Sequence, residues 1–270
     1  MPELPEVETT RRGIAPLITG RRVTRIVVRN PRLRWRVPTR LARELPGHTI
    51  DTVTRRAKYL LLGTTRGTVI LHLGMSGSLR VIEHSVPPQT HDHVDIVFDD
   101  GNCLRLRDPR RFGSVLWALD PMHHPLLANL GPEPLGDDFD AQYLFRASRD
   151  RTRAIRDFLL DGTVVAGIGN IYANEALFAA GVRPKRPAGR LTLEECRRLV
   201  RTVRTILGRA VKAGGTTLRD FQNHEGEPGY FQFKLKVYGL EGKPCQRCGK
   251  AIRHSQIGQR SAFYCTVCQL

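Results

Sequence analysis

The chain is poor in several things that would have placed it quickly. Its 270 residues include two tryptophans, three methionines and 26 acidic residues against 43 basic ones. No apolar run approaches the roughly 20 residues needed to cross a bilayer; runs such as 59–62 and 115–119 are strand-sized. The opening MPELPEVETT has neither the basic n-region nor the apolar h-region of a secretory signal. No membrane span is predicted, and the expected compartment is the cytoplasm. The shortage of acid leaves a formal net charge of +17. An excess of that size gathers anions, and nucleic acid is the commonest partner for it. The competing reading is an arginine-rich protein with a merely solvated basic surface. Hydrophobic residues still make up 40 %, which excludes a disordered basic tail. The length suits one large domain or two smaller ones.

Six cysteines are present, and four form CQRC (Cys245, Cys248) and CTVC (Cys265, Cys268) with 16 residues between the pairs. In a cytoplasmic chain two C-x2-C knuckles at that separation predict a tetrahedral four-thiolate zinc site rather than two disulfides. Four thiolates close the metal's shell, so the expected Zn2+ is structural. Cys103 and Cys196 lie in a strand-like and a helical run and read as buried free thiols.

Val7, Ile14 and Leu17 stand at helical spacing behind Pro5, with Glu6 and Glu8 near the positive end of the dipole, so a helix is predicted over 5–17. From 23 to 119 the texture becomes short β-rich runs (VTRIVV, YLLL, TVILHL, SLRVI, HVDIVF, CLRLR, SVLWAL) separated by turn signals such as TTRG and DPRRFG. An antiparallel sandwich with the first helix packed on it follows. The stretch 120–139 is rich in Pro, Gly and Asp and reads as a linker. Helices are predicted over 141–147, 152–160, 170–180 and 192–213, the last opened by a Thr192/Glu195 capping box. The fold class is therefore α+β. The expected divisions are a sandwich over 1–119, the linker over 120–139, a helical domain over 140–230 and a zinc-bearing ribbon over 231–270.

Several residues carry possible chemistry. Removal of Met1 would expose the secondary amine of Pro2, a nucleophile able to attack an electrophilic sugar carbon. The resulting iminium cannot lose its charge by deprotonation, and it acidifies the adjacent carbon. Glu3 is placed to move protons. Most Met-Pro starts are inert, so this reading needs support from elsewhere. Lys58, in RRAKYLLL, suits a phosphate or a proton transfer. The turn DPRRFG offers Arg110 and Phe112 for insertion into a duplex, against a hairpin whose Phe112 is a core plug. GIGNIYANEALF places a glycine turn at a helix start with Asn170 as N-cap, an anion site or simply a helix-packing turn. Arg260 falls between the zinc knuckles, where a ribbon tip would present it to a phosphate or leave it as surface charge.

These pieces occur in one order. MPELPEVET, RRAKYLLL, HLGMSGSLR, HDHVD, DPRRFG, LGPEPL, GIGNIYANEALF, GGTTLRDF, EPGYF, KVYG and the C-x2-C pairs together resemble bacterial formamidopyrimidine-DNA glycosylase, the 8-oxoguanine DNA glycosylase/AP lyase family, over the entire chain. The resemblance implies a sandwich that is the catalytic domain, followed by a helix-two-turn-helix domain and a zinc finger. It implies action on double-stranded DNA that contains an oxidised purine or an abasic site; recognition of one extruded base requires no second subunit, so a monomer is expected. By position it makes Pro2 the Schiff-base nucleophile and Glu3 the general acid. It associates Lys58 with β-elimination, and Arg260 with δ-elimination and phosphate binding. Met75, Arg110 and Phe112 match the trio that fills the void, with Arg110 facing the orphaned cytosine. His91, Arg110 and Arg151 fall at DNA-contact positions, and Asn170 and Lys58 at phosphate contacts near the lesion. The segment 215–230, with Thr217, Arg219 and Tyr230, corresponds to the loop covering the flipped purine. Two positions depart from the pattern: Arg156 stands where lysine is common, and Gly162 where glutamine or asparagine is expected. The competing readings are an endonuclease VIII-type enzyme for oxidised pyrimidines and a non-catalytic zinc-ribbon DNA-binding protein.

Overall fold

The first helix, α1 (Leu4–Ile18), starts where Glu3 adopts an extended backbone and closes a capping box with Glu6. Its buried face is Leu4, Val7, Ile14 and Ile18. Leu17, expected on that face, is 43 % exposed. One residue is a rotation of about 100°, and it is Ile18 that comes round to the core.

The computed structural model describes residues 2–214 and 235–270. The chain divides into two compact units, one running to Ala128 and the other taking in Asn129–Lys212 and the C-terminal residues to Leu270.

In the first unit α1 is followed by β1 (Val23–Val28), α2 (Thr39–Glu44), β2 (Thr52–Arg56), β3 (Tyr59–Gly63), β4 (Thr68–His72), β5 (Ser78–Glu83), β6 (Asp92–Phe98), β7 (Asn102–Arg107) and β8 (Ser114–Ala118). They form two antiparallel four-stranded sheets, ordered β1-β6-β7-β5 and β2-β3-β4-β8. Alternate residues of both sheets meet in one apolar core with α1: Val94, Ile96 and Leu104 from one, Leu60, Leu62, Val69 and Trp117 from the other. This is the expected sandwich. Strand β6 is buried on both faces. Opposite the core it carries Asp95, which accepts paired hydrogen bonds from Arg29 at 2.9 and 2.6 Å and from Arg105 at 2.9 and 2.8 Å. Burial alone would raise that carboxyl's pKa; the two guanidiniums outweigh it and hold it below the usual range.

The second unit holds α3 (Ala141–Ser148), α4 (Ile155–Leu159), α5 (Asn170–Ala180), a 3-10 turn at Ala188–Arg190, α6 (Leu193–Ala213), β9 (Arg253–Ile257) and β10 (Arg260–Tyr264). No helix or strand is formed between Ala118 and Ala141. The capping box of α6 is present: Thr192 N–H donates to Glu195 Oε2 at 2.9 Å, and Glu195 N–H to Thr192 Oγ1 at 3.2 Å. Helix α4 is shorter than the predicted 152–160. Residues before Ile155 run alongside the chain near Pro187, with Ala154 bridging Pro187, Ala188 N–H donating to Arg153 O and Ile155 N–H to Arg186 O. Helices α3–α6 share a core around Phe139, Ile155, Tyr172, Leu177 and Leu199. A smaller cluster joins Phe178, Val237, Ile252 and Cys265 beneath the ribbon. Among the described residues no helix is long and apolar enough to cross a membrane.

Candidate functional site

Pro2 is buried just outside the first turn of α1, and Glu3 is buried beside it. Glu6, also buried, fixes the pair by accepting Glu3 N–H at 2.8 Å. Glu6 escaped the sequence reading of the site, although PELPE carries the capping-box spacing.

Lys58 is half-buried in the two-residue turn between β2 and β3, where Arg56 pairs with Tyr59. Ala57, its neighbour, is held at φ 53°. His72, at the end of β4, packs on Tyr59 with ring centroids 4.9 Å apart and accepts Gly74 N–H on Nδ1 at 3.0 Å. Burial, reinforced by the charges of Lys58 and Arg34, pushes the His72 pKa down to about 4. The ring is therefore neutral at pH 7, and with Nδ1 accepting, its N–H is on Nε2. Sequence reasoning did not single out His72, because one histidine in an apolar strand carries no signal of its own.

Met75, His91, Arg110 and Phe112 come together around Asp108, which is fully buried. Asp108 Oδ1 accepts the Ser76 hydroxyl at 2.8 Å, its Oδ2 accepts Gly113 N–H at 2.7 Å, and its backbone carbonyl accepts Arg111 N–H at 3.1 Å. His93 Nε2 also lies 2.9 Å from that carbonyl. Arg110 N–H donates to Ser76 Oγ at 3.2 Å, and Asp108 N–H to His91 O at 3.0 Å. The Met75 turn can lie this close only because Gly74 has no side chain. A Cβ there would sit 2.4 Å from Gly113 N, at a φ of 62°. Phe112 is 44 % exposed with the Arg110 guanidinium 5.0 Å over its ring. The core-plug reading of Phe112 is thus excluded. His91 is exposed.

In the second unit Asn170 is the first residue of α5 and Gly169 is the N-cap, a correction to the expected capping role. The Asn170 side chain turns instead to the ribbon: Oδ1 accepts from Arg156 Nη1 at 3.1 Å, and Nδ2 donates to Ser261 O at 2.9 Å. Arg156 is wholly buried, and its Nη2 donates to the carbonyls of Ile257 and Arg260 at 2.5 and 3.1 Å. A planar fork reaches three acceptors that a lysine's point charge would have to share. Arg156 thereby fixes the backbone from which exposed Arg260 projects at the ribbon tip. Arg151 is exposed beside Asp150, another non-glycine residue at positive φ (59°). At Gly162 a Cβ would come within 3.3 Å of Leu130 Cδ2, so any side chain must displace that leucine slightly.

Among the described residues the non-glycine positions at positive φ are Ala57, His91, Arg111 and Asp150. Each is a residue named above or adjoins one. Such a backbone costs an L-residue about 1–2 kcal/mol and persists where surrounding structure holds it.

Glu175, missed by the sequence reading, is buried in α5 and accepts the N–H groups of Lys236, Val237 and Tyr238 at 2.9–3.1 Å. It anchors the chain leading to the ribbon. The Sγ atoms of Cys245, Cys248, Cys265 and Cys268 lie within 4.8 Å of one another, with 3.9 Å between Cys245 and Cys268 and 3.4 Å between Cys248 and Cys265. A tetrahedral zinc with Zn–S of about 2.3 Å requires S···S edges of about 3.8 Å. The donor set fits one structural Zn2+. Thr217, Arg219 and Tyr230 lie outside the described residues.

A two-sheet sandwich with basic loops and a helical unit ending in a four-thiolate ribbon together define a two-part class of zinc-ribbon proteins. Family sequence models match in the same order: the formamidopyrimidine-DNA glycosylase N-terminal domain over 1–115, its H2TH domain over 130–222, and the zinc finger found in FPG and IleRS over 242–270. The formamidopyrimidine-DNA glycosylase of Thioalkalivibrio sulfidiphilus is 59 % identical over the full length of both chains. The crystal structure of the MutM (Fpg) protein from Thermus thermophilus superposes with a TM-score of 0.89 at 39 % identity, covering 99 % of this chain and 98 % of that one. The Lactococcus lactis Fpg in complex with DNA containing an abasic site gives 0.90 at 34 % identity, covering 99 % of each. The chain belongs to the formamidopyrimidine-DNA glycosylase family.

Proposed function

We propose that this protein is a base-excision repair enzyme that removes oxidised purines from duplex DNA and then cleaves the strand at the abasic site. Membership of the family over the whole chain carries the proposal. The burial of Pro2 and Glu3 at the start of α1 supports the assignment of chemistry.

In this reading the Pro2 nitrogen attacks the sugar C1′, the bond to the oxidised base breaks, and Glu3 delivers a proton as the sugar ring opens. The product is a positively charged iminium between Pro2 and C1′. Loss of a C2′ proton sends electrons toward that cation and expels the 3′ phosphate; a second elimination expels the 5′ phosphate. Lys58 serves the first elimination, with neutral His72 beside it offering an Nε2 hydrogen bond to a phosphate. Arg260 serves the second and binds phosphate from the ribbon tip. Asn170 supports that tip through Ser261 as well as facing the phosphates, and Arg151 and His91 are further DNA contacts. Met75, Arg110 and Phe112 fill the space left by the flipped nucleotide, with Arg110 toward the orphaned cytosine. Flipping costs a few kcal/mol, which this insertion and the phosphate contacts offset. Thr217, Arg219 and Tyr230 cover the extruded purine. The zinc holds the ribbon and takes no part in the chemistry. By division of labour, 1–119 is the catalytic sandwich, 120–139 a linker, 140–230 the DNA-binding helical part and 231–270 the zinc finger. The protein works as a monomer on chromosomal DNA in the cytoplasm.

Borohydride trapping tests the reading. A covalent adduct is expected with 8-oxoguanine opposite cytosine and should vanish in Pro2→Gly. Preferential trapping on an oxidised pyrimidine would move the protein to the endonuclease VIII type, and no adduct with either lesion would leave only a DNA-binding protein.

A further inference from the structure

The sequence between Arg29 and Arg43 holds six arginines and no acidic residue. Most of its middle forms one closed loop. Val37 N–H donates to Pro31 O at 3.0 Å, Arg32 and Arg36 form an antiparallel bridge, and Asn30 Oδ1 accepts Arg32 N–H at 2.9 Å. Leu33 and Val37 point into the sandwich core, which turns Arg32, Arg34, Trp35 and Arg36 outward. Trp35 is 48 % exposed, an unusual placement for a large ring. The loop is tied to the segment carrying Arg110 and Phe112, the wedge, by a backbone bond from Arg34 N–H to Gly113 O at 3.1 Å. A groove of about 580 Å³ lies between the two, lined by Arg32, Arg34, Arg110, Arg111 and Phe112 with Leu33.

What sets this place apart is the gathering of arginines without carboxylate partners at one loop and groove. Arg29, Arg55, Arg105, Arg153 and Arg186 are each paired with a carboxylate. Among the described residues, no ion pair is made by Arg32, Arg34, Arg36, Arg110 or Arg111. The charge of Arg34 acts on His72 and Tyr59 as well. Unpaired guanidiniums held together on a rigid loop repel one another, and a polyanion relieves that repulsion. The planar fork of arginine suits phosphate oxygens.

We propose that the loop of residues 30–37 is a DNA-holding element in its own right. Arg32, Arg34 and Arg36 take backbone phosphates of the duplex beside the wedge, and Trp35 rests its ring against the sugars. The proposal rests on the reading that the protein acts on duplex DNA. The loop holds the helix axis in place while Arg110 and Phe112 enter it, so its contribution is independent of sequence and of the lesion.

Binding of the full chain to an undamaged duplex and to one with a tetrahydrofuran abasic analogue, measured by anisotropy from 50 to 200 mM salt, tests this. Each phosphate contact adds about 0.9 to the slope of log K against log salt. Arg32→Ala/Arg34→Ala/Arg36→Ala should make the slope shallower by about 2–3 and weaken both duplexes by the same factor, at least tenfold at the lower salt. Arg34→Ala and Arg36→Ala alone should each remove about 1 from the slope, and the three lysine replacements should keep most of it. Trp35→Ala should weaken binding without changing the slope. Unchanged slopes in both single variants would overturn the proposal, as would a loss confined to the abasic duplex or tight binding of an acidic protein at the same groove in preference to DNA. Borohydride trapping by the wild-type chain separates the two readings. If it traps while the arginine variants bind normally, only the loop's role fails; if it binds duplex with the expected slopes but never traps, only the catalytic reading fails.

Discussion

The Ser76 hydroxyl donates to Asp108 Oδ1 at 2.8 Å, and through that bond the turn carrying Met75 and the loop carrying Arg110 and Phe112 become one body. Asp108 also holds Gly113 N–H, while its own N–H caps His91 O. Removing the carboxylate leaves buried donors unmet, each worth about 1–3 kcal/mol. Asp108→Ala is therefore expected to lower stability by about 3 kcal/mol in urea unfolding and to slow nucleotide flipping, read by 2-aminopurine fluorescence beside the lesion, by more than tenfold. A destabilised variant that flips at the wild-type rate would show the two loops to be independent.

Arg156 is expected to act on the ribbon rather than on the lesion. Arg156→Met strips Asn170, Ile257 and Arg260 of their shared donor. Strand cleavage at a preformed abasic site should fall at least tenfold with the zinc content unchanged, and Arg156→Lys should recover part of the loss. If Arg156→Met altered the preference between lesions but left abasic-site cleavage intact, the positioning role would be wrong.

Zinc removal should unfold the ribbon and spare the sandwich. The ribbon's apolar cluster is small, and the core under α1 contains none of its residues. Chelation should abolish hydrogen-exchange protection in β9 and β10 while β3, β4 and β6 keep theirs. Because bound thiolates compete with protons, metal loss should accelerate as pH falls. Uniform loss of protection in both units would contradict this.

His72 should titrate near pH 4 in the folded protein. The unfolded chain takes up that proton near the ordinary value of 6.5, so between the two values the unfolded state binds more protons. This ring therefore subtracts stability as pH falls from 6.5 toward 4. Proton NMR of the His72 ring should give the low midpoint, and Lys58→Met should raise it. A midpoint near 6.5 would mean that the ring is open to water.

Much of this was readable from the chain. The periodicity of 193–213 reflects burial of one face; HVDIVF and CLRLR alternate although β6 and β7 are buried on both faces, because the side away from the core carries the paired Asp95 and Arg105. Strand β2 went unread because TVTRR is polar at all but Val53: it lies at a sheet edge and borrows its order from β3. Helix α2 is six residues long and carries a single buried side chain, too little for a period to register. At the site, Pro2 and Glu3 were singled out through motif order, and the four-thiolate cluster was legible from the C-x2-C spacing. Asp108 and Glu175 were not, since each acts by accepting hydrogen bonds from residues distant in sequence, Ser76 and Val237 among them, which leave no signature; Glu6 was missed although the capping-box spacing offered it. Asn170 was assigned a cap because Asn favours that position; Arg156, fourteen residues earlier, claims its side chain instead.

Anyone seeking a heat-resistant version of this enzyme would be drawn to Ala57, His91, Arg111 and Asp150, since glycine relieves a left-handed backbone at each. These are poor targets. The same twist aims Lys58, His91, the wedge and Arg151, so a higher melting temperature gained there comes with slackened aim, and safer gains lie in the sheets and on the outer face of α6.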